Sequence, residues 1–419
     1  MKTIARILFL TVGIFLLAHY LPEGYRLLVA KKRPRPPIVF YSCLQKEFFF
    51  YRYSDHGLAM VDERGTNYVR EDFEQLLPLD NYLQLLKNGT LPASIDGVDL
   101  TVDKLKRERL SLRVRPDLMD SPVIPLYPLL EAESGRVRLA MPDDFMRLSD
   151  RVEFVIAASN VVDTAKSDRF TRAFAAAGFL FPAQIIAGNA TTLKPYDEGY
   201  FLVDKSGATF QLRQVRGEPE LKRISAMVAP DAKAQWETLK PKFIMVQEGE
   251  THELRAFLIG ADDRAYLAVG KDYRLVPLPL DHYEPKHASL ALRGDLLNRL
   301  VTVTSDEGVE AVALNRNYEV VRRFHESLPD FRESPAGKVR AVIFPFTLSF
   351  ESDASNFYGC ALEFGSRGAL LLNVVWLILV SGWFAFRKQL GIRRLPDLVA
   401  VGVGGILGVI LALILPPAD

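Results

Sequence analysis

Cysteine is nearly absent from this chain of 419 residues: two, Cys43 and Cys360, cannot build the multi-disulfide framework of a small secreted domain. An excess of one charge is lacking too. Lys plus Arg (52) balances Asp plus Glu (51), and a net charge of +1 offers no basic face for nucleic acid. No Gly-x-Ser-x-Gly elbow, phosphate-binding loop or dinucleotide fingerprint occurs, so none of those enzyme classes has a signature here. Of six histidines, only His282 and His287 lie close together, next to Asp281, and Pro285 between them keeps one helical face from presenting both. A zinc site needs three or four ligands at recognisable spacing. The carboxylate pairs Asp143-Asp144, Asp262-Asp263 and Asp306-Glu307 fall at turns, where turn chemistry accounts for them. No metal, cofactor or enzymatic activity is expected.

What the chain does have is long apolar runs. Residues 368–386 and 398–415 carry no charge, and the turn between them holds Arg387, Lys388, Arg393 and Arg394. About 20 helical residues at 1.5 Å each cross a hydrocarbon core roughly 30 Å thick. Both runs therefore read as transmembrane helices, and the basic turn at 387–397 as cytoplasmic. A third apolar stretch, residues 4–21, follows a cytoplasmic N-terminus at 1–3. No small-x-small cleavage site comes after it, which favours an uncleaved signal anchor over a cleaved signal peptide. Residues 22–37 form a basic, proline-rich juxtamembrane linker, and residues 416–419 a short tail. Basic residues near the spans balance on the two sides. The orientation is decided by the short basic turn, which resists export, whereas long loops translocate largely regardless of charge. The large segment 38–367 is then extracytoplasmic, and the fold class is an integral membrane protein with three transmembrane helices and a large β-rich domain with helical insertions.

Within that segment, residues 71–87 have helical spacing interrupted by Pro78. Residues 163–177 read as a helix capped by Asp163 and stopped at Gly178. Prolines and charges dominate residues 91–150, which read as irregular. From Tyr200 onward, strand–turn–strand units repeat: residues 200–212, 256–269 and 300–314, with residues 50–68 a more distant copy. Tyr273 and Tyr318 follow the last two units about 45 residues apart, a spacing found in propeller blades, although a general antiparallel sheet would read the same way.

Two further patterns carry expectations. Ala400, Gly404, Gly408 and Ala412 recur every four residues, so on a continuous helix they line one face and admit a close helix partner, either within the chain or on another protein. Asn373 in the preceding span is placed to hydrogen-bond across such an interface. Cys43 and Cys360, both expected outside, either pair and tie the juxtamembrane segments together or remain free thiols.

Several motifs together resemble a known family. They are Tyr41-Ser42; Leu76-Leu77-Pro78-Leu79 with Tyr82; Tyr127-Pro128-Leu129-Leu130-Glu131 with Ser134-Gly135-Arg136-Val137; Ile186-Ala187-Gly188-Asn189-Ala190-Thr191-Thr192; and Tyr196-Asp197-Glu198-Gly199-Tyr200. The chain resembles an uncharacterised bacterial membrane-protein family, a domain of unknown function whose genes tend to lie beside ABC transporter genes. The resemblance implies a multi-pass protein of the bacterial cytoplasmic membrane, a non-enzymatic accessory subunit with the lipid bilayer and ABC permease or ATPase subunits as partners. A stand-alone envelope sensor or binding module, or an envelope hydrolase, is the alternative. The polar run of Asn189, Thr191, Thr192, Tyr196, Asp197 and Glu198 is the candidate partner or ligand loop, weighed against an ordinary structured loop.

Overall fold

A computed structural model describes residues 2–29, 35–54, 57–350 and 359–415. The chain divides into two compact units, Pro36–Glu326 and a second made of Met1–Arg35 with Ser327–Asp419. The expected segment 38–367 thus lies mostly in the first of these units, with residues 327–367 in the second. Residues 31–34 of the basic spacer, the Asp55-His56 turn and the tail at 416–419 lie outside the described residues. Helix α1 (Lys2–Val29) opens the second unit and runs past the expected end of the first span at 21, carrying Pro22 within it.

The Pro36–Glu326 unit is a series of antiparallel sheets. β1 (Ile38–Tyr41), β2 (Phe48–Ser54) and β3 (Gly57–Asp62) form the first meander. The helical pattern at 71–87 becomes α2 (Arg70–Leu76) and α3 (Tyr82–Asn88), parted around Pro78. A small hairpin, β4 (Ser94–Ile95) with β5 (Val98–Asp99), and helix α4 (Val102–Arg107) lead to β6 (Leu110–Val114). β7 (Asp144–Leu148), β8 (Val152–Ile156) and β9 (Val161–Val162) make a second meander. Helix α5 (Thr164–Ala176) covers it, capped by the Asp163 carboxylate, which accepts from the Lys166 N–H at 2.9 Å.

Three larger sheets follow. The first holds β10 (Ile185–Gly188), β11 (Tyr200–Val203), β12 (Thr209–Val215) and β13 (Glu218–Arg223). After α6 (Pro230–Leu239) the second holds β14 (Phe243–Val246), β15 (Leu254–Ile259), β16 (Ala265–Val269) and β17 (Arg274–Pro277). The third holds β18 (Ala288–Gly294), β19 (Asn298–Ser305), β20 (Gly308–Asn315) and β21 (Val320–Ser327), with β6 at its edge beside β18. Each has its strands in sequential order, the local topology of a propeller blade. The three strand–turn–strand units read from sequence are the central hairpins of these sheets. β6, in the stretch expected to be irregular, was not foreseen, because its partner lies far along the chain.

Packing explains why so many of these strands are apolar throughout. All six residues of β15 are buried. Phe257 and Ile259 face β18–β20, while Ala256 and Leu258 face β11 and β14. A strand covered on both sides loses the alternation of a half-solvated one. The other face of the β10–β13 sheet, with Leu202, Phe210 and Leu212, packs on Phe154 of β8 and on Phe170 and Phe174 of α5. The N-terminal meander packs through Val39, Phe48 and Phe50 on Leu300, Val309 and Ala311 of β19 and β20. Burying a Phe side chain stabilises by about 1.5–3 kcal/mol, so these aromatic layers dominate cohesion between sheets.

The helical unit adds α7 (Pro335–Ile343), the hairpin β22 (Phe346–Ser349) with β23 (Ala361–Phe364), α8 (Arg367–Phe386), α9 (Leu395–Gly404) and α10 (Ile406–Ile414). The expected third span, 398–415, is not one helix. α9 stops at Gly404, Gly405 adopts φ +54° and ψ −127°, and α10 starts at Ile406. Such a conformation is open to glycine and strained for other residues. Contacts along α1 give the direction of each arm. Asp397 meets Arg6 and Gly404 meets Ile14, so α9 runs alongside α1 in the same direction. Leu407 packs on Ala18 and Leu411 on Gly13, so α10 runs back the other way. The result is a helical hairpin with arms of 10 and 9 residues. Among the described residues two helices, α1 and α8, have the length and apolar composition to cross a membrane, not three.

Two polar groups inside this apolar unit, Asp397 and Asn373, are matched by partners within it. Asp397 is fully buried and accepts from Arg6 Nε and Nη2 at 2.9 Å each and from Arg394 Nη1 at 3.0 Å. Asn373 of α8 donates to the carbonyls of Gly402 (3.1 Å) and Val403 (3.3 Å), which the break at Gly405 leaves without helical partners. Ala400, Gly404, Gly408 and Ala412 do not line one face of a continuous helix. Gly408 of α10 lies against the Ala400 carbonyl of α9, with the Val401 Cα at 2.6 Å from where a Cβ would stand. The small residues serve a crossing inside the chain.

Candidate functional site

Four of the six residues in the polar run after β10, Asn189, Tyr196, Asp197 and Glu198, converge on one buried seam or its lid, joining the β10–β13 sheet to the β14–β17 sheet. Lys194 is at its centre: Nζ donates to the Asn189 carbonyl (2.6 Å), Asp197 Oδ1 (2.5 Å) and Glu248 Oε1 (2.8 Å). Asn189 Nδ2 donates to Glu248 Oε2 at 3.0 Å, and the Glu198 N–H to Glu248 Oε1 at 2.7 Å. Glu198 accepts from Arg255 Nη1, from Gln211 Nε2 (2.7 Å) and from the Tyr273 hydroxyl (3.3 Å). Tyr196 stacks on His252 with ring centroids 3.6 Å apart. Its hydroxyl and Asp197 Oδ2 are buried without a hydrogen-bond partner among the described residues. Thr191 turns aside to accept from the Leu193 N–H, and Thr192, half-buried, takes no part in the seam.

The same constellation recurs one sheet on. Glu198 and Glu253 each stand just before the second strand of their sheet. Each is held by an arginine from the second strand of the next sheet, Arg255 or Arg299, and by a tyrosine from that sheet's last turn, Tyr273 or Tyr318. Arg299 is fully buried, its Nε 2.7 Å from Glu253 Oε1, while the Tyr318 hydroxyl donates to the same oxygen at 2.6 Å. Both tyrosines have left-handed backbones, φ +49° and +67°, a strained state that persists where surroundings over-determine it. A bulge in β15, where register shifts between Leu254 and Ala256, lets Glu253 and Leu254 point to one neighbouring sheet and Arg255 to the other.

Electrostatics follow from burial. Desolvation pushes the Glu248 carboxyl up to about 7 although Lys194 opposes it. Burial alone would raise Glu253 too, but Arg299 holds it below the usual carboxylate range. Burial takes the Tyr196 hydroxyl up to about 12. Desolvation, helped by Lys271, lowers His252. Carboxylates committed to arginine and lysine in this way tether sheets. Breaking one such buried pair typically costs about 3–5 kcal/mol.

Of these residues, the sequence reading singled out the run at 189–198 and the spacing of Tyr273 and Tyr318. It missed Lys194, Gln211, Glu248, Arg255 and the second copy built on Glu253 and Arg299. Cys43 is a buried free thiol, pushed up to about 12 by burial, and Cys360 is an exposed free thiol, so the disulfide alternative is not realised. The His282 ring lies 4.2 Å from that of His325 rather than with His287. Among the described residues no group of three His, Cys, Asp or Glu is arranged for a metal.

A family described as a domain of unknown function, DUF4857, matches residues 38–314. The chain belongs to this family, and the match runs from β1 to β20, taking in the whole Glu198 copy of the seam and, of the second copy, Glu253 and Arg299. A similar solved structure is described as the Dos1 propeller, with 9% identity over 71% of this chain and 62% of that one, at a TM-score of 0.23. The chain thus spans less than two thirds of that solved chain. No curated protein matches.

Proposed function

We propose that this protein is a non-enzymatic accessory subunit of an ABC-type transport system in the bacterial cytoplasmic membrane, its β-rich domain outside, binding substrate or a partner. The observation that carries the membrane part is the exposure of its apolar helices. The apolar windows of α1 and α8, with mean hydropathy 2.0 and 2.2, are only 17% and 22% buried by the protein itself. Core helices of soluble proteins bury theirs, so lipid or the helices of another subunit supply the missing cover. The transport context rests on the resemblance of the motifs at 186–200 to a family whose genes neighbour ABC transporters. A binding role is favoured over hydrolysis because the buried carboxylates of the seam are engaged by cationic partners, leaving no paired acid and base facing solvent there.

In this reading α1 and α8 span, and α9–α10 is a re-entrant hairpin. Arms of 10 and 9 residues reach about 15 Å, half the hydrocarbon core, and return. The buried Arg6–Asp397–Arg394 group then sits at the cytoplasmic edge beside Arg387 and Lys388, where charge is best tolerated. The test is affinity purification of the full chain from native membranes in mild detergent. ATPase and permease subunits in stoichiometric amounts are expected; their absence after cross-linking refutes the accessory role.

A further inference from the structure

We propose that a polar cleft beside Glu253 binds a small zwitterion of amino-acid or dipeptide size, its carboxylate held by Arg274 and Arg316 and its ammonium by Asp272. The cleft has a volume of about 350 Å³ and is lined by Glu108, Thr251, Asp272, Arg274, Arg316 and Tyr318, among others. That volume lies at the small end of ligand sites, which run from roughly 300 to 1,000 Å³.

Its floor is built. Glu253 is fixed by the buried Arg299 and by the Tyr318 hydroxyl, so its charge is already neutralised. Arg274 stands directly opposite Val269 in the β16–β17 register, which puts both side chains on the face that lines the cleft. Arg316 spends Nη1 on Glu108 (2.8 Å) and the Leu296 carbonyl (3.2 Å); its Nη2 is 3.7 Å from Glu253, leaving donors free. Asp272 and Arg274 flank Tyr273, whose backbone is left-handed at φ +49°, and both line the cleft. Among the described residues neither has an ion-pair or hydrogen-bond partner, not even each other.

The charge balance selects the ligand class. With Glu253 matched to Arg299, the cleft presents two arginines and two carboxylates, Glu108 and Asp272. An anion such as phosphate gains Arg274 but meets Asp272, and a simple cation meets the reverse. A molecule with both charges a few ångströms apart satisfies both, and guanidinium groups suit a carboxylate through paired N–H donors.

The experiment is isothermal titration calorimetry on the full-length, detergent-solubilised protein. Its probes are L-alanyl-L-alanine, the N-acetylated dipeptide and the dipeptide amide. Saturable binding of the free dipeptide is expected, with each blocked form at least tenfold weaker. Arg274→Gln should erase the discrimination against the amide, and Asp272→Asn that against the acetylated form. Both side chains are exposed, and an unchanged melting curve confirms that each variant folds. No heat at millimolar dipeptide, equal affinity for blocked and free forms, or unaltered discrimination in both variants overturns the proposal. Calorimetry on the isolated chain reads the cleft alone, so its outcome is separate from transporter docking.

Discussion

Gly408 in α10 rests against the backbone carbonyl of Ala400 in α9, eight positions earlier in sequence. On a continuous helix those residues would lie about 12 Å apart along the axis. Their contact exists because the chain reverses at Gly405. It makes the spaced small residues a device for folding two short helices onto each other, and it frees the outer faces of α1 and α8 for other contacts.

Two glycine substitutions separate this arrangement from a continuous span. At Gly408 a Cβ would run into the Ala400 carbonyl and come within 2.6 Å of the Val401 Cα, backbone that has no room to move. At Gly404 the nearest atom is the Cδ1 of Ile14 at 3.3 Å, the end of a flexible side chain. Gly408→Ala should therefore destabilise the helical unit by about 3 kcal/mol and Gly404→Ala by less than about 1 kcal/mol. Protease resistance and melting temperature in detergent report both. Equal effects would point to a straight helix.

The seam predicts an order among substitutions in the β domain. Arg299→Met removes the fully buried guanidinium that holds Glu253, leaves that half-buried carboxylate only Arg316 at 3.7 Å and the Tyr318 hydroxyl, and should cost about 3 kcal/mol. Tyr318→Phe and Tyr273→Phe each remove a single hydroxyl from a carboxylate that keeps its arginine, about 1–2 kcal/mol apiece. Urea unfolding followed by tryptophan fluorescence reads the series, since Trp236 is buried and donates to the Tyr273 carbonyl. A Tyr318→Phe effect as large as that of Arg299→Met would remove the ion pair from its ranking place.

How much of this the chain announced depends on distance along it. The hairpins at 200–212, 256–269 and 300–314 were legible because β-branched and aromatic runs sit close to Asp and Gly turns. β6 was not, since nothing near Leu110 signals a partner at Leu292. Tyr273 and Tyr318 were visible as a spacing, yet their partners Glu198 and Glu253 fall at a different interval. Only the bulge in β15 shows why Glu253 and Arg255, two residues apart, serve opposite neighbours. Likewise, four small residues at intervals of four fit one helix face or a hairpin crossing equally well, and the left-handed Gly405 decides between them.

Glu248 sets a pH dependence. Its carboxyl is raised from 4.5 to about 7 in the folded protein, chiefly by burial, so the folded state binds a proton more tightly than the unfolded chain. Stability from this group is full below pH 4.5 and is lost as pH rises through 7, by up to roughly 3 kcal/mol. Glu248→Gln cannot titrate and should flatten the stability profile between pH 5 and 8. Parallel profiles for the two proteins would assign the dependence to other groups.

In the membrane reading proposed above, the side on which the chain ends follows from the hairpin. If residues 398–415 crossed as one helix, the C-terminus would emerge on the same side as the β domain. Because Leu407 packs at Ala18 of α1 and Leu411 back at Gly13, α10 heads toward the level of Arg6 and the basic turn. A reporter joined after Asp419 should therefore be fluorescent as a cytoplasmic fusion and inactive as a secreted phosphatase. A phosphatase placed in the β domain should be active. A variant with a destabilised turn offers the internal control: Gly405→Leu, which strains the positive-φ backbone and brings a side chain against Asn373, should shift part of the C-terminal population outward. An active phosphatase at the C-terminus of the unaltered chain would restore the three-span topology and remove the re-entrant hairpin from the membrane.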